Sequence, residues 1–174
     1  MLPPGHIAGG YLAGKIASIW IPALRQPEYL ALSSFFGFVP DLDTFWTFYK
    51  NKRMISTDRI NHRQYFTHAP LLYLAIFLLW YILFPHSRLI ALTFILGTWS
   101  HFILDTFSYE GIMWMWPFST SALSILAPTK ISIRSTEFFG HWLEVAKKYS
   151  RLGLAKAEAM LIIIAILTLI YSKH

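Results

Sequence analysis

An all-α integral membrane bundle of four to five helices is the fold this sequence predicts, on three observations. Its 174 residues are 55% hydrophobic and 14% charged, with a mean hydropathy of +0.46, whereas a soluble domain carries about 25% charged residues. Several apolar tracts approach the ~20 residues that cross a bilayer. They leave no room for a separate soluble part, so one membrane domain over residues 1–174 is expected. Aromatic side chains make up 17% of the chain, and Trp114, Trp116, Trp142 and Tyr149 group as rings do at the headgroup level.

The first helix is expected over residues 6–23, where Gly9, Gly10, Ala13, Gly14 and Ala17 offer a surface for close helix packing. Before it, Met1 to His6 lacks the basic region and cleavage site of a signal peptide and reads as mature structure. Pro22 and Pro27 bracket a turn. A second helix over 28–40 then stops at Pro40 and two aspartates; at roughly a dozen residues it is short for a span. Residues 44–67, with Lys50, Lys52, Arg53, Asp58, Arg59 and Arg63, read as a basic loop.

Pro70 suits the first turn of a helix, where its missing N–H costs nothing, and Leu71 to Phe84 holds no charge, so a third helix is set at 69–85. A turn at Pro85-His86-Ser87-Arg88 leads into a fourth helix over 88–107, closing an antiparallel hairpin. Residues 109–150 read as an interfacial segment in which Glu137 to Ser150 forms an amphipathic helix. A last apolar helix covers 157–172.

Against this background, side chains that hold metal ions cluster where apolar segments begin or end. They are His6, Asp41 and Asp43, His62 and His68, and His101 with Asp105. Asp and His are costly beside hydrocarbon unless they pair, bind an ion or line a wet cavity. His101 and Asp105 lie four apart on a helix, so both emerge from one face at a spacing that suits a shared ion. A His–Asp hydrogen bond gluing two helices explains that pair alone equally well. Thr67 reads as a helix N-cap that leaves His68 at the interface. What joins the clusters is topology, since alternating helices bring all of them to one face.

Basic residues orient that face. Lys50, Lys52, Arg53, Arg59, Arg63, Lys130, Arg134, Lys147, Lys148, Arg151 and Lys156 share it, against Arg25, Arg88 and Lys173 opposite. The positive-inside rule then places the site in the cytoplasm and the chain, multi-pass, in the inner membrane. With no Cys in the chain, a metal falls to His and carboxylates, which favours zinc first and manganese second over iron–sulfur chemistry. No serine elbow and no Glu-x-x-His pairs are present.

The expected function is metal-dependent hydrolysis through an activated water, with Asp41 or Asp43 as base and Arg63 steadying developing charge. A phosphoester of a lipid or other membrane-associated molecule is the expected substrate, because the site opens at the headgroup level. Membrane lipids are the expected partners; nucleic acid ranks second, since the net charge of +6 reads as topology and no nucleic-acid motif occurs. The alternative is a non-catalytic metal-binding membrane protein, for transport or sensing, although an uninterrupted third helix offers no path through the bilayer. Two of the histidines as axial haem ligands is a further alternative.

The order His6, Pro40-Asp41-Leu42-Asp43, His62-Arg63, Thr67-His68, Gly97-x-x-Ser100-His101-x-x-Leu104-Asp105, then Gly111-Ile112 and Pro117, carries a family likeness. Over residues 1 to about 120 the chain resembles the bacterial and archaeal membrane-bound metal-dependent hydrolases, also described as LexA-binding, inner-membrane-associated hydrolases. Members often carry Ser after the second histidine, where this chain has Ala69. The resemblance implies hydrolysis and names no substrate. A fainter resemblance, through His101-x-x-x-Asp105 and His141-Trp-Leu-Glu144, is to the zinc phospholipase C and nuclease group. It implies phosphoester cleavage and a third-rank role for His141 and Glu144, whose spacing departs from that group's four-residue step.

Overall fold

The computed structural model describes residues 1–51, 66–108, 111–126, 138–150 and 153–171, and among these the regular structure is all-helical but for one isolated antiparallel bridge between Ile112 and Leu123. In order come α1 (Pro3–Ala17), α2 (Pro27–Phe38), α3 (Leu42–Asn51), α4 (Pro70–Leu83), α5 (Arg88–Thr106), α6 (Phe138–Tyr149) and α7 (Gly153–Tyr171). Helices α1, α2 and α4 each start on a proline, which needs no N–H acceptor in the first turn and has its φ already helical.

The central element is α5, packed by α1, α2 and α4, while α7 packs on α1. Its buried face runs Ala91, Phe94, Thr98, His101, Phe102 and Asp105, at the three- and four-residue steps of one helix side. Buried hydroxyls on it cost little, because Thr98 and Thr106 each donate to a carbonyl one turn back, at 2.8 Å. Toward the hairpin, Tyr73 of α4 stacks on Phe94 at 5.6 Å and meets the edge of Phe102 at 5.0 Å. Beyond α5, the 111–126 segment folds back over its end. Trp114 Nε1 donates to Thr106 Oγ1 at 2.8 Å, and Gly111 takes a φ of +72° where a Cβ would strike the Leu123 carbonyl.

Small residues set how deeply α1, α2 and α5 interlock. A Cβ on Gly10 of α1 or Gly97 of α5 would collide with the carbonyl of Ser33 in α2, and one on Gly37 would meet the carbonyl of His6. Ser33 Oγ meanwhile donates to the Gly10 carbonyl at 2.7 Å. Such close backbone approach suits a setting where lipid competes for every apolar surface.

Among the described residues, two helical stretches are long and apolar enough to cross a bilayer, Pro85–Thr106 with 22 residues and Gly153–Tyr171 with 19. The sequence predicts a bundle of four to five helices, and its all-helical character is what the described residues show. With 15 and 14 residues, α1 and α4 rise only about 21–23 Å, against ~30 Å of hydrocarbon. The helix expected over 6–23 ends at Ala17, where Pro22–Arg25 forms a 3-10 turn and Arg25 Nε donates to the Ser18 carbonyl at 3.2 Å. The helix expected over 28–40 ends at Phe38 and passes into a 3-10 turn, Val39–Asp41.

The loop expected over 44–67 is also corrected, because α3 occupies its first part. Asp43 stands in the first turn of α3, and Phe45, Trp46 and Tyr49 lie on its exposed side.

Candidate metal centre

Four elements deliver the ligand-type side chains. His6 comes from the first turn of α1, Asp41 from the 3-10 turn after α2, His68 from the 3-10 turn Phe66–His68 before α4, and His101 and Asp105 from the end of α5. Because these helices alternate in direction, all five residues meet at one end of the bundle. His6, His68, His101 and Asp105 are 0% exposed and Asp41 7%.

The His6 and His101 rings stack with centroids 3.7 Å apart. His6 Nε2 lies 3.3 Å from Asp105 Oδ1, His101 Nε2 3.5 Å from Asp105 Oδ2, and His68 Nε2 3.5 Å from Asp41 Oδ1. His101 Nε2 is 3.8 Å from the same Asp41 oxygen. Donors bound to one ion at 2.0–2.2 Å in tetrahedral geometry stand about 3.3–3.6 Å apart, so these separations suit a shared cation. Two sets, His6 with Asp41 and His101, and His68 with His101 and Asp105, each keep one ligand atom per residue within 4.8 Å of the others.

Both ring nitrogens of His6 and Nε2 of His101 are buried without a hydrogen-bond partner among the described residues. An unsatisfied buried polar atom costs about 1–3 kcal/mol, so a cluster of them facing carboxylates fits a bound cation better than an apolar helix seam. The tautomer of His101 follows from its other side. Nδ1 lies 2.8 Å from the Gly37 carbonyl, which can only accept, so Nδ1 carries the proton and Nε2 offers its lone pair.

Asp43 sits one step back. Its Oδ2 is 3.5 Å from His68 Nδ1 and accepts a hydrogen bond from Thr67 Oγ1 at 2.6 Å. Burial opposes the charged forms of His68 and Asp41. The carboxylates of Asp41 and Asp43 outweigh it at His68, which is pushed up to about 9, and the neighbouring histidines hold Asp41 below the usual carboxylate range. Asp105 Oδ1 also takes the Met1 ammonium at 2.7 Å.

The structure thus brings together His6, Asp41, His68, His101 and Asp105, with Asp43 behind His68. His62, Arg63 and the side chain of His141 lie outside the described residues; Glu144 is half-buried on α6. The capping role expected of Thr67 is corrected, since Ala69 precedes α4, the Thr67 hydroxyl serves Asp43, and His68 is buried and not interfacial. Pro70 opens α4 without an N–H, so the turn before it is free to fold inward.

Sequence reasoning passed over Glu158. It is 4% exposed inside α7 and accepts the backbone N–H groups of Leu2 and Gly5, each at 3.1 Å. The available signal was a carboxylate inside the apolar helix expected over 157–172, where an acid is itself an indication of a role.

Over residues 1–174 the chain matches the family described as YdjM inner membrane protein. No curated protein and no solved structure matches it. A match over the whole length, on a chain with two bilayer-length apolar helices, decides the family and its compartment. The chain belongs to the YdjM inner membrane protein family.

Proposed function

We propose that the protein is a metal-dependent hydrolase of the inner membrane, with its centre at the cytoplasmic face and a phosphoester of a lipid or membrane-associated molecule as substrate. The observation that carries the reading is the convergence of five buried ligand-type side chains from four elements, in which both ring nitrogens of His6 and Nε2 of His101 make no hydrogen bond among the described residues. Imidazole and carboxylate donors without thiolate suit zinc first and manganese second. A divalent ion held there supplies a water acidified toward ~7 and a Lewis acid for a phosphoryl oxygen.

The chain's own residues do the rest. Gly37 orients His101, Asp43 orients His68, and His6 enters from α1 to complete the imidazole set. Asp41, the only one of the five with measurable exposure, stands where a proton can be taken and passed outward. Arg63 is kept from the sequence reading as the group that steadies phosphoryl charge. Placement at the headgroup level is supported by α3, which follows Asp41 directly and exposes Trp46 and Tyr49 at 67% each.

One observation favours a second reading, non-catalytic metal binding for transport or sensing: four of the five side chains are 0% exposed, and a closed site is what a structural or sensing ion requires. Purified protein in native lipid, with and without zinc or manganese, separates the two against phospholipids, lipid-linked phosphates and short nucleic acids. Metal-dependent turnover that disappears in His101→Ala supports hydrolysis. Stoichiometric metal without turnover of any ester supports the second reading, and absence of bound metal overturns both.

A further inference from the structure

We propose that Glu158 is a positioning residue of the metal centre: its carboxylate holds the first turn of α1 and so sets where His6 enters the site. The proposal rests on the reading that the centre binds a divalent ion. The first turn of a helix has N–H groups with no acceptor inside the helix, and Leu2, the residue preceding α1, supplies no side-chain cap. Glu158 supplies one from α7. Its Oε2 accepts from Leu2 N–H and its Oε1 from Gly5 N–H, each at 3.1 Å. A negative group at this end also meets the positive end of the α1 dipole.

Two further observations tie the contact to the site. Gly5 is the neighbour of His6, and a Cβ at Gly5 would stand 2.7 Å from Glu158 Oε1; the glycine is what lets the carboxylate reach the backbone. Beyond it, His6 carries its ring onto His101 and Asp105. Helix α7 otherwise buries only Leu154 and Ala165 and turns an apolar surface outward. A carboxylate in such a helix is expensive unless it is used. Here its use is to hold α1 at one depth and rotation against α5.

The test is a double-mutant cycle on metal affinity, with the purified full chain in lipid, zinc measured by chelator competition and cobalt(II) by its visible absorption. Glu158→Ala is expected to weaken zinc binding by about 10–100-fold, the range for residues that orient a ligand, and to alter the cobalt spectrum. In the His6→Ala background the same change is expected to cost nothing more. Gly5→Ala, which displaces the carboxylate, is expected to match Glu158→Ala and not to add to it. Leu154→Ala, which loosens α7 through an apolar side chain, is expected to leave affinity and spectrum alone.

Glu158→Gln keeps one acceptor oxygen for Gly5 and is expected to fall between; it carries the same cycle with His6→Ala if the alanine variant does not fold. Wild-type affinity and spectrum in both Glu158 variants, or an equal loss with and without His6, would overturn the proposal while leaving metal binding intact. Absence of metal from the wild-type protein would instead overturn the reading beneath it, and the proposal with it.

Discussion

His101 rests on Gly37: the imidazole Nδ1 donates to the Gly37 carbonyl at 2.8 Å, which leaves Nε2 facing the carboxylates of Asp41 and Asp105. One ring therefore joins α5 to α2 with one nitrogen and faces the centre with the other. Glycine is required at position 37 for a separate reason, because a Cβ there would strike the His6 carbonyl of α1.

The two nitrogens of His101 can be separated. Asparagine reproduces a donor at the Nδ1 position and nothing at Nε2, so His101→Asn is expected to keep near wild-type thermal stability and lose bound metal. His101→Ala loses the metal and also strands the buried Gly37 carbonyl, at a further cost of about 1–3 kcal/mol. Thermal melts and elemental analysis on the pair check this; equal stability of the two variants would remove the Gly37 bond from the account.

Asp41 and Asp43 are two apart in sequence and differ in what they touch. Asp43 meets His68 Nδ1 and Thr67, whereas Asp41 faces His68 Nε2 and His101 Nε2. Asp43→Asn is expected to lower metal affinity by about 10–100-fold with stoichiometry kept. Asp41→Asn is expected to lower the stoichiometry itself. Chelator-competition titrations distinguish the two, and identical behaviour would place both carboxylates in the same role.

Helix depth gives a contrast in magnitude. Gly97→Ala pushes a methyl group into the Ser33 carbonyl and the Gly37 backbone, and is expected to destabilise by about 1–3 kcal/mol with loss of metal. Ser33→Ala removes only the hydrogen bond to Gly10, worth about 0.6 kcal/mol inside a membrane, and is expected to keep metal. Denaturant titration in mixed micelles reads both.

Orientation can be read directly, because the chain has no cysteine of its own. A single Cys replacing Trp46, next to the site, is expected to react with impermeant maleimide only from the cytoplasmic side. One replacing His86, in the turn between α4 and α5, is expected to react only from the periplasmic side. The reverse pattern would put the centre in the periplasm.

Much of the fold was legible because it is written in local terms. Uncharged runs, prolines at helix starts and the turn at Pro85 mark α4 and α5 within two residues of where they lie. The amphipathic stretch expected at 137–150 appears as α6. The α3 helix was missed because Lys50 and the basic residues after it outweighed the aromatic periodicity of Phe45, Trp46 and Tyr49. Helix ends were less legible, because apolar composition says nothing of where a helix stops; α1 ends six residues early on a turn capped by Arg25.

By itself the sequence determined the class, an apolar helical chain, and the order in which metal-type side chains recur at helix ends. These follow from composition and periodicity, which act within a few residues. Tertiary structure alone decided which of those side chains face one another. Asp41 turns toward the centre while Asp43 stands behind His68, and Glu158 reaches a backbone amide 153 residues away. The physical reason is that helix rotation and depth are set by glycines seated on the carbonyls of Ser33 and His6. Contacts of that kind join distant segments and leave no period in the chain.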